Sequence, residues 1–180
     1  MKPFLFDIIK EIIGNSKPAN IGEIGTHRGS TAKQLINTYS PLVENFTYTG
    51  YDVFDYAVNN VEFNKSERNG KNGAQYDKVF NSLERIKRKS KHNIEIILHK
   101  GFTTETLTSP QIFDFVYIDG GHSYDTVKHD YSMVKDSKLI VFDDFKIAGV
   151  NKFVKELMEQ GVDIEIVKTP TKHIWAVIRN

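Results

Sequence analysis

Asn20-Ile-Gly-Glu-Ile-Gly-Thr-His-Arg-Gly-Ser-Thr31 is the stretch whose reading decides the fold. Asn20–Ile24 predicts a short apolar strand and Gly25–Gly29 a tight turn. Ser30–Tyr39 follows as a helix, with Ser30 or Thr31 near its cap. Working outward, Phe46–Tyr51 predicts a second strand ending at Asp52, a helix follows somewhere in Tyr76–Lys89, and Ile94–Leu98 predicts a third strand and Thr103–Leu107 a short helix. Phe113–Ile118 and Leu139–Phe142 predict strands that each end in aspartate, while Asp125–Val134 and Val150–Gln160 read as amphipathic helices. Upstream, Phe4, Leu5, Ile8, Ile9, Ile12 and Ile13 recur at helical spacing as far as Gly14. Near-continuous apolar strands alternating with helices call for a parallel sheet covered on both faces. The tail departs from that pattern. Val162–Val167 and His173–Ile178 are strand-like but joined only by Lys168–Lys172, too short for a crossover helix, so they pair antiparallel. The predicted class is α/β, a doubly wound and mostly parallel sheet finished by a C-terminal hairpin.

The 180 residues contain no internal repeat, low-complexity tract or linker, and 1–180 reads as one domain. With 39% hydrophobic and 26% charged residues, wholesale disorder is excluded. Lys plus Arg number 24 against 23 Asp plus Glu, a net charge of +1, so no global basic field exists for nucleic acid or an anionic membrane. The absence of cysteine excludes disulfides, thiolate metal sites and cysteine nucleophiles. No apolar run approaches the roughly 20 residues of a spanning helix, and Met1–Gly14 lacks a signal-peptide cleavage site. A cytoplasmic location is the expectation. Asp55–Gln75, with its Asn-Asn and Asn-Gly pairs, reads either as a lid over a ligand or as a solvated insertion.

Three features carry chemistry. Gly25 and Gly29, four apart at a strand-to-helix turn, let the backbone bend tightly and approach a ligand, or form a turn and nothing more. Asp52 ends the second strand roughly 20 residues beyond that turn, where doubly wound folds place the acceptor of ribose hydroxyls. The alternative is a helix cap or loop ion pair. Asp119 after the fourth strand and Asp143-Asp144 after the fifth converge on the same sheet edge. Carboxylates gathered there repel unless a cation sits between them, and hard oxygen donors suit Mg²⁺; alternatively, one or two cap the following helices. Adjacent Asp143 and Asp144 cannot both face the site on a regular strand, so the chain must turn between them, and if only one remains Asp143 is expected.

Glu23-x-Gly25-x-x-x-Gly29, the Gly-Tyr-Asp52 strand end, Ile118-Asp-Gly-Gly-His-Ser-Tyr124 and Val-Phe-Asp143-Asp144 together resemble class I S-adenosylmethionine-dependent methyltransferases. Within them the pattern is most similar to metal-dependent O-methyltransferases of the macrocin and macrolide-sugar type. The resemblance runs from Asn20 to the final hairpin and implies a seven-stranded, Rossmann-like sheet with an antiparallel last strand. It implies that Glu23, Gly25, Thr26, His27, Gly29, Asp52, Val53, Gly101, Phe102 and Asp119 bind S-adenosylmethionine. It further implies that Asp119, Asp143 and Asp144 hold Mg²⁺ and that Asp119 and His122 are catalytic, His122 as the base. Two departures stand out. Gly101-Phe102-Thr103 lacks the Gly-Asp with which such enzymes reach the adenine amino group, so Phe102 packs beside adenine and the hydrogen bond comes from elsewhere. The chain also lacks the extra N-terminal cap of many relatives, so the acceptor pocket is open or completed by a second subunit in a homo-oligomer.

The remaining histidines are less informative. His122 and His129, seven apart on or beside one helix, would share a face, a pair more often solvated than metal-binding, and His27 in the glycine turn lines the cofactor site or lies at the surface; His92, His99 and His173 lie at strand edges without signal. Arg85-Ile-Lys-Arg-Lys-Ser-Lys91 reads as a solvated helix end whose cations suit the dipole, rather than a phosphate-binding patch, since no aromatics interleave it. The resulting expectation is methyl transfer to a hydroxyl of a small acceptor such as a sugar or glycosylated metabolite. Its rivals are a nucleic-acid or protein methyltransferase, for which neither a basic groove nor an amide-reading motif is present, and an inactive cofactor-binding module of a larger assembly.

Overall fold

Strand β1 (Ala19–Ile24) is an interior strand of a seven-stranded sheet, and its residues are buried but for half-buried Asn20. The computed structural model describes residues 7, 9–10, 12–14, 17–55, 74–168 and 173–180. β1 is flanked by β2 (Asn45–Asp52) and β4 (Phe115–Ile118), both parallel to it. β3 (Asn93–Lys100) and β5 (Leu139–Phe142) extend the sheet, also parallel. β7 (Ile174–Arg179) runs antiparallel between β5 and β6 (Glu165–Lys168), which gives the order β3-β2-β1-β4-β5-β7-β6. The order reverses between β1 and β4. At that point the carboxyl ends of two neighbouring strands open a crevice, the place where doubly wound sheets take ligands.

Helices α1 (Ser30–Tyr39), α2 (Tyr76–Lys89), α3 (Thr103–Thr106), α4 (Tyr124–Val134) and α5 (Ala148–Glu159) connect the strands, with a 3₁₀ turn at Ser40–Leu42. One face of the sheet packs Tyr39, Phe46, Tyr48 and Leu83, and also buries Ile9 and Ile13 of a helical N-terminal segment. The other packs Val127, Phe142, Phe153 and Val154 under α4 and α5. Each fully buried side chain of this size stabilises the fold by about 1.5–3 kcal/mol. Among the described residues, no helix is long and apolar enough to cross a membrane.

Several boundaries differ from the expectation, for physical reasons. The N-cap of α1 is Gly29, with φ +70, while Thr31 turns its hydroxyl toward Glu23 instead of capping. β6 starts at Glu165 rather than at Val162. Val162 is spent closing α5: with Gly161 at φ +88, Gly161 N donates to Met158 O and Val162 N to Leu157 O, both at 3.0 Å. This paired closure satisfies two helix-end carbonyls before the strand can begin. Phe4, Leu5 and Ile8 of the expected opening helix, residues 56–73 of the expected lid or insertion, and 169–172 of the hairpin linker lie outside the described residues.

Candidate active site

The glycine turn takes its shape from what lies under it. Gly25 has φ +96, and a Cβ there would stand 2.1 Å from the Asp119 carbonyl oxygen, so only glycine fits between the ends of β1 and β4. The Gly25 and Thr26 amides both donate to Tyr51 O, at 2.8 and 3.3 Å. The Thr26 side chain points inward, 3% exposed, into space that a Cβ on Gly50 would fill at 2.4 Å. The Tyr48 hydroxyl donates its only hydrogen to Glu23, so at its 3.2 Å contact with Thr26 the threonine hydroxyl must be the donor. Burial pushes the Glu23 carboxyl up to about 8, the nearby Asp119 and Asp52 charges push the same way, and the bond from Tyr48 opposes them. The neutral form of Glu23 is thus favoured near neutral pH. Both Glu23 and Thr26, expected among the cofactor contacts, sit beneath the turn and shape it from below.

Asp52 ties the turn to the second strand. Its Oδ2 accepts from His27 N at 2.8 Å and its Oδ1 from Phe54 N at 2.5 Å. Both donors occupy the left-handed region, His27 at φ +48 and Phe54 at φ +45, a conformation that surrounding contacts must hold. Gly101, at φ +144, donates its amide to Asp52 O at 3.0 Å, which draws the end of β3 into the same cluster. Half-buried Val53 and Phe102 flank that junction. Asp52, Val53, Gly101, Phe102 and the Gly25–Gly29 turn thus line one edge of the sheet.

Two strands away, Asp119, His122 and Asp144 come together. Each offers a ligand atom within 4.8 Å of the others, and His122 Nε2 stands 3.1 Å from Asp144 Oδ2. His122 belongs to the loop before α4, whose N-cap is Ser123, so it does not share a helix face with His129 as its spacing suggests. Its backbone is fixed by α5, because a Cβ on Gly149 would lie 2.1 Å from His122 O.

The expectation for Asp143 is corrected. The chain does turn between the two aspartates, with Asp144 at φ +52, but Asp144 and not Asp143 joins Asp119 and His122. Asp143, 11% exposed, accepts from Tyr117 Oη at 2.5 Å, Trp175 Nε1 at 2.9 Å and Asp144 N at 2.8 Å. His173 Nδ1 lies 4.0 Å from its Oδ1. Tyr117, Tyr48, His173 and Trp175 were not legible as site residues. Only Tyr117 carried a signal, since it lies two positions before Asp119 and therefore on its face of the strand. The basic run ends α2 with Lys87, Arg88 and Lys89 in the last turn, and Lys87 pairs with Glu84 at 3.5 Å, as a solvated helix end does.

Known proteins bear on this arrangement. The model of a family described as a methyltransferase domain matches residues 23–145, which spans the glycine turn, Asp52, Asp119, His122 and both adjacent aspartates. No curated protein matches by sequence. Among solved structures, a precorrin-6y C5,15-methyltransferase from Geobacter metallireducens is similar at 14% identity and TM-score 0.57, covering 100% of this chain and 89% of that one. A Staphylococcus aureus protein provisionally assigned as a caffeoyl-CoA O-methyltransferase is similar at 15% identity and TM-score 0.57, covering 100% and 85%. Fibrillarin from Aeropyrum pernix, with S-adenosyl-L-methionine bound, is similar at 14% identity and TM-score 0.55, covering 98% and 74%. With the family model spanning most of the chain and the fold shared with these structures, the chain belongs to the class I S-adenosylmethionine-dependent methyltransferases.

Proposed function

We propose that this enzyme transfers the methyl group to a hydroxyl of a small acceptor, a sugar or glycosylated metabolite, in the cytoplasm, with a divalent cation assisting, as in the macrocin-type group. The observation that carries the reading is the meeting of Asp119, His122 and Asp144 at the carboxyl ends of β4 and β5, beside the glycine turn. S-Adenosylmethionine, when bound, supplies an electrophilic methyl on a sulfonium. The Gly25 turn and the Asp52 carboxylate fit it: the turn admits no Cβ at Gly25, and Asp52 ends β2 beside that turn as an acceptor suited to ribose hydroxyls. Two carboxylates suit Mg²⁺ or Mn²⁺, hard cations that take oxygen donors, and leave the imidazole of His122 for proton transfer. Asp119 and Asp144 would hold that cation, which would supply Lewis acidity toward an acceptor oxygen.

His122 takes the proton from the acceptor hydroxyl, since imidazole exchanges protons near neutral pH. Asp144, at 3.1 Å, stabilises the imidazolium that forms. Asp119 O abuts Gly25, so the acceptor-facing loop and the glycine turn are held at fixed separation. Positioning of this kind accounts for much of the rate in group transfer.

The test is release of S-adenosylhomocysteine with a panel of hydroxylated acceptors, before and after chelation and with Mg²⁺ or Mn²⁺ restored. Activity that vanishes with chelator and returns with metal, and that falls about 10²–10⁴-fold in His122→Ala, supports the reading. Chelator-resistant transfer with wild-type rates in Asp144→Asn overturns the cation. Turnover only on RNA or protein overturns the acceptor class.

A further inference from the structure

We infer that Trp175 and Tyr117 are positioning residues for the Asp119–His122–Asp144 group and act on it through Asp143. The inference rests on the proposed function in one respect, that these three side chains form the reacting edge of the site.

On a continuing strand, Asp143 and Asp144 would leave the sheet on opposite faces. The chain instead turns at Asp144, whose φ of +52 is a conformation that neighbouring contacts have to impose. The contact that imposes it is the Asp143 carboxylate, whose Oδ1 accepts the Asp144 amide at 2.8 Å. That oxygen is also held by Trp175 Nε1 at 2.9 Å, and Oδ2 is held by Tyr117 Oη at 2.5 Å. Tyr117 belongs to β4 and Trp175 to β7, the two strands on either side of β5. Both are buried, at 6% and 1% exposure, so the carboxylate is clamped from two sides by rigid elements.

Removal of the indole N–H leaves Oδ1 short of a donor in a largely buried place, a cost that drives it to find another. His173 Nδ1, 4.0 Å from the same oxygen, is within reach of a small rotation. That rotation pulls Oδ1 from the Asp144 amide and releases the turn that presents Asp144 to Asp119 and His122. Neither Trp175 nor Tyr117 belongs to the three-residue group itself. Their influence passes through a bond to a neighbour of Asp144.

Trp175→Phe keeps an aromatic ring and removes the N–H. In this variant the affinity for Mn²⁺, read by calorimetry, should fall about 10–100-fold, the range for outer-shell partners of metal ligands. The ¹⁵N shifts of the His122 imidazole at fixed pH should move, and kcat should fall with little change in KM for the cofactor. Affinity for S-adenosylhomocysteine should stay within about twofold, because the glycine turn and Asp52 stand at the ends of β1 and β2, away from β5 and β7. Wild-type Mn²⁺ affinity together with unmoved His122 signals would overturn the inference. If the wild-type protein binds no Mn²⁺, the cation reading fails by itself and the His122 signals decide: moved signals support the positioning role and unmoved ones refute it. Should Trp175→Phe not fold, Tyr117→Phe removes the other donor and is judged by the same measurements.

Discussion

Glu23 gives the sharpest test of how the site is built. The side chain is 1% exposed, receives the Tyr48 hydroxyl and faces the charges of Asp52 and Asp119. Burial raises its carboxyl from 4.5 to about 8. The folded state therefore holds a proton that the unfolded state gives up above pH 4.5. The stability associated with that proton is fully present below pH 4.5, declines through the window from 4.5 to 8, and is gone once the folded protein also ionises. At about 1.4 kcal/mol per pH unit across that window, the total is of order 5 kcal/mol. Glu23→Gln replaces the acid with a neutral amide of similar shape whose oxygen can still accept from Tyr48. The measurement is urea unfolding of both proteins from pH 5 to 9, read as the difference between their stabilities at each pH, so that other titrating groups cancel. Wild type should lose about 1.4 kcal/mol per unit relative to the variant up to about pH 7.5, with the difference flattening above pH 8. Parallel stability curves across the whole range would show that Glu23 is ionised in the fold, and the reading of a neutral acid beneath the turn would be wrong.

Other expectations follow from the same geometry. Asp52→Ala should weaken S-adenosylhomocysteine binding by about 1.5–3 kcal/mol in calorimetry, while also stripping the His27 and Phe54 amides of their acceptor; unchanged affinity would mean the cofactor does not use this edge. Gly25→Ala sets a Cβ 2.1 Å from Asp119 O at φ +96. The loss should be about 3 kcal/mol or more, a fall in Tm of roughly 6–12 °C, and a Tm within 1–2 °C of wild type (roughly 0.5 kcal/mol) would contradict the close approach. His173→Ala should leave both the His122–Asp144 pair and Mn²⁺ affinity within about twofold, since the Asp143 clamp stands on Trp175 and Tyr117; a tenfold loss would move His173 into the clamp.

Much of the architecture was legible because it is local. Apolar strands buried on both faces carry their own signature, and a hairpin too short for a crossover can pair only one way; a helix expected somewhere within Tyr76–Lys89 fills that whole stretch. The glycine turn, Asp52 at a strand end and the paired aspartates at another are likewise short-range patterns, and the ends of parallel strands share one edge of a sheet. The sequence by itself thus determined the layered α/β class and the sheet edge on which the candidate site residues gather.

What it could not settle depends on contacts between distant segments. Whether Asp143 or Asp144 faces the site turns on Trp175, 32 residues away, which reaches Asp143 only because β7 folds back antiparallel beside β5. Glu23 and Thr26 look like ligand contacts in a linear motif, yet Tyr48 on β2 draws both inward, and the room for Thr26 exists because Gly50 has no side chain. The pairing of His122 with Asp144 depends on α5 pressing Gly149 against the His122 backbone. Periodicity says which face of an element is apolar, but a carboxylate's partner is decided by whichever donors tertiary packing leaves within about 3 Å of it.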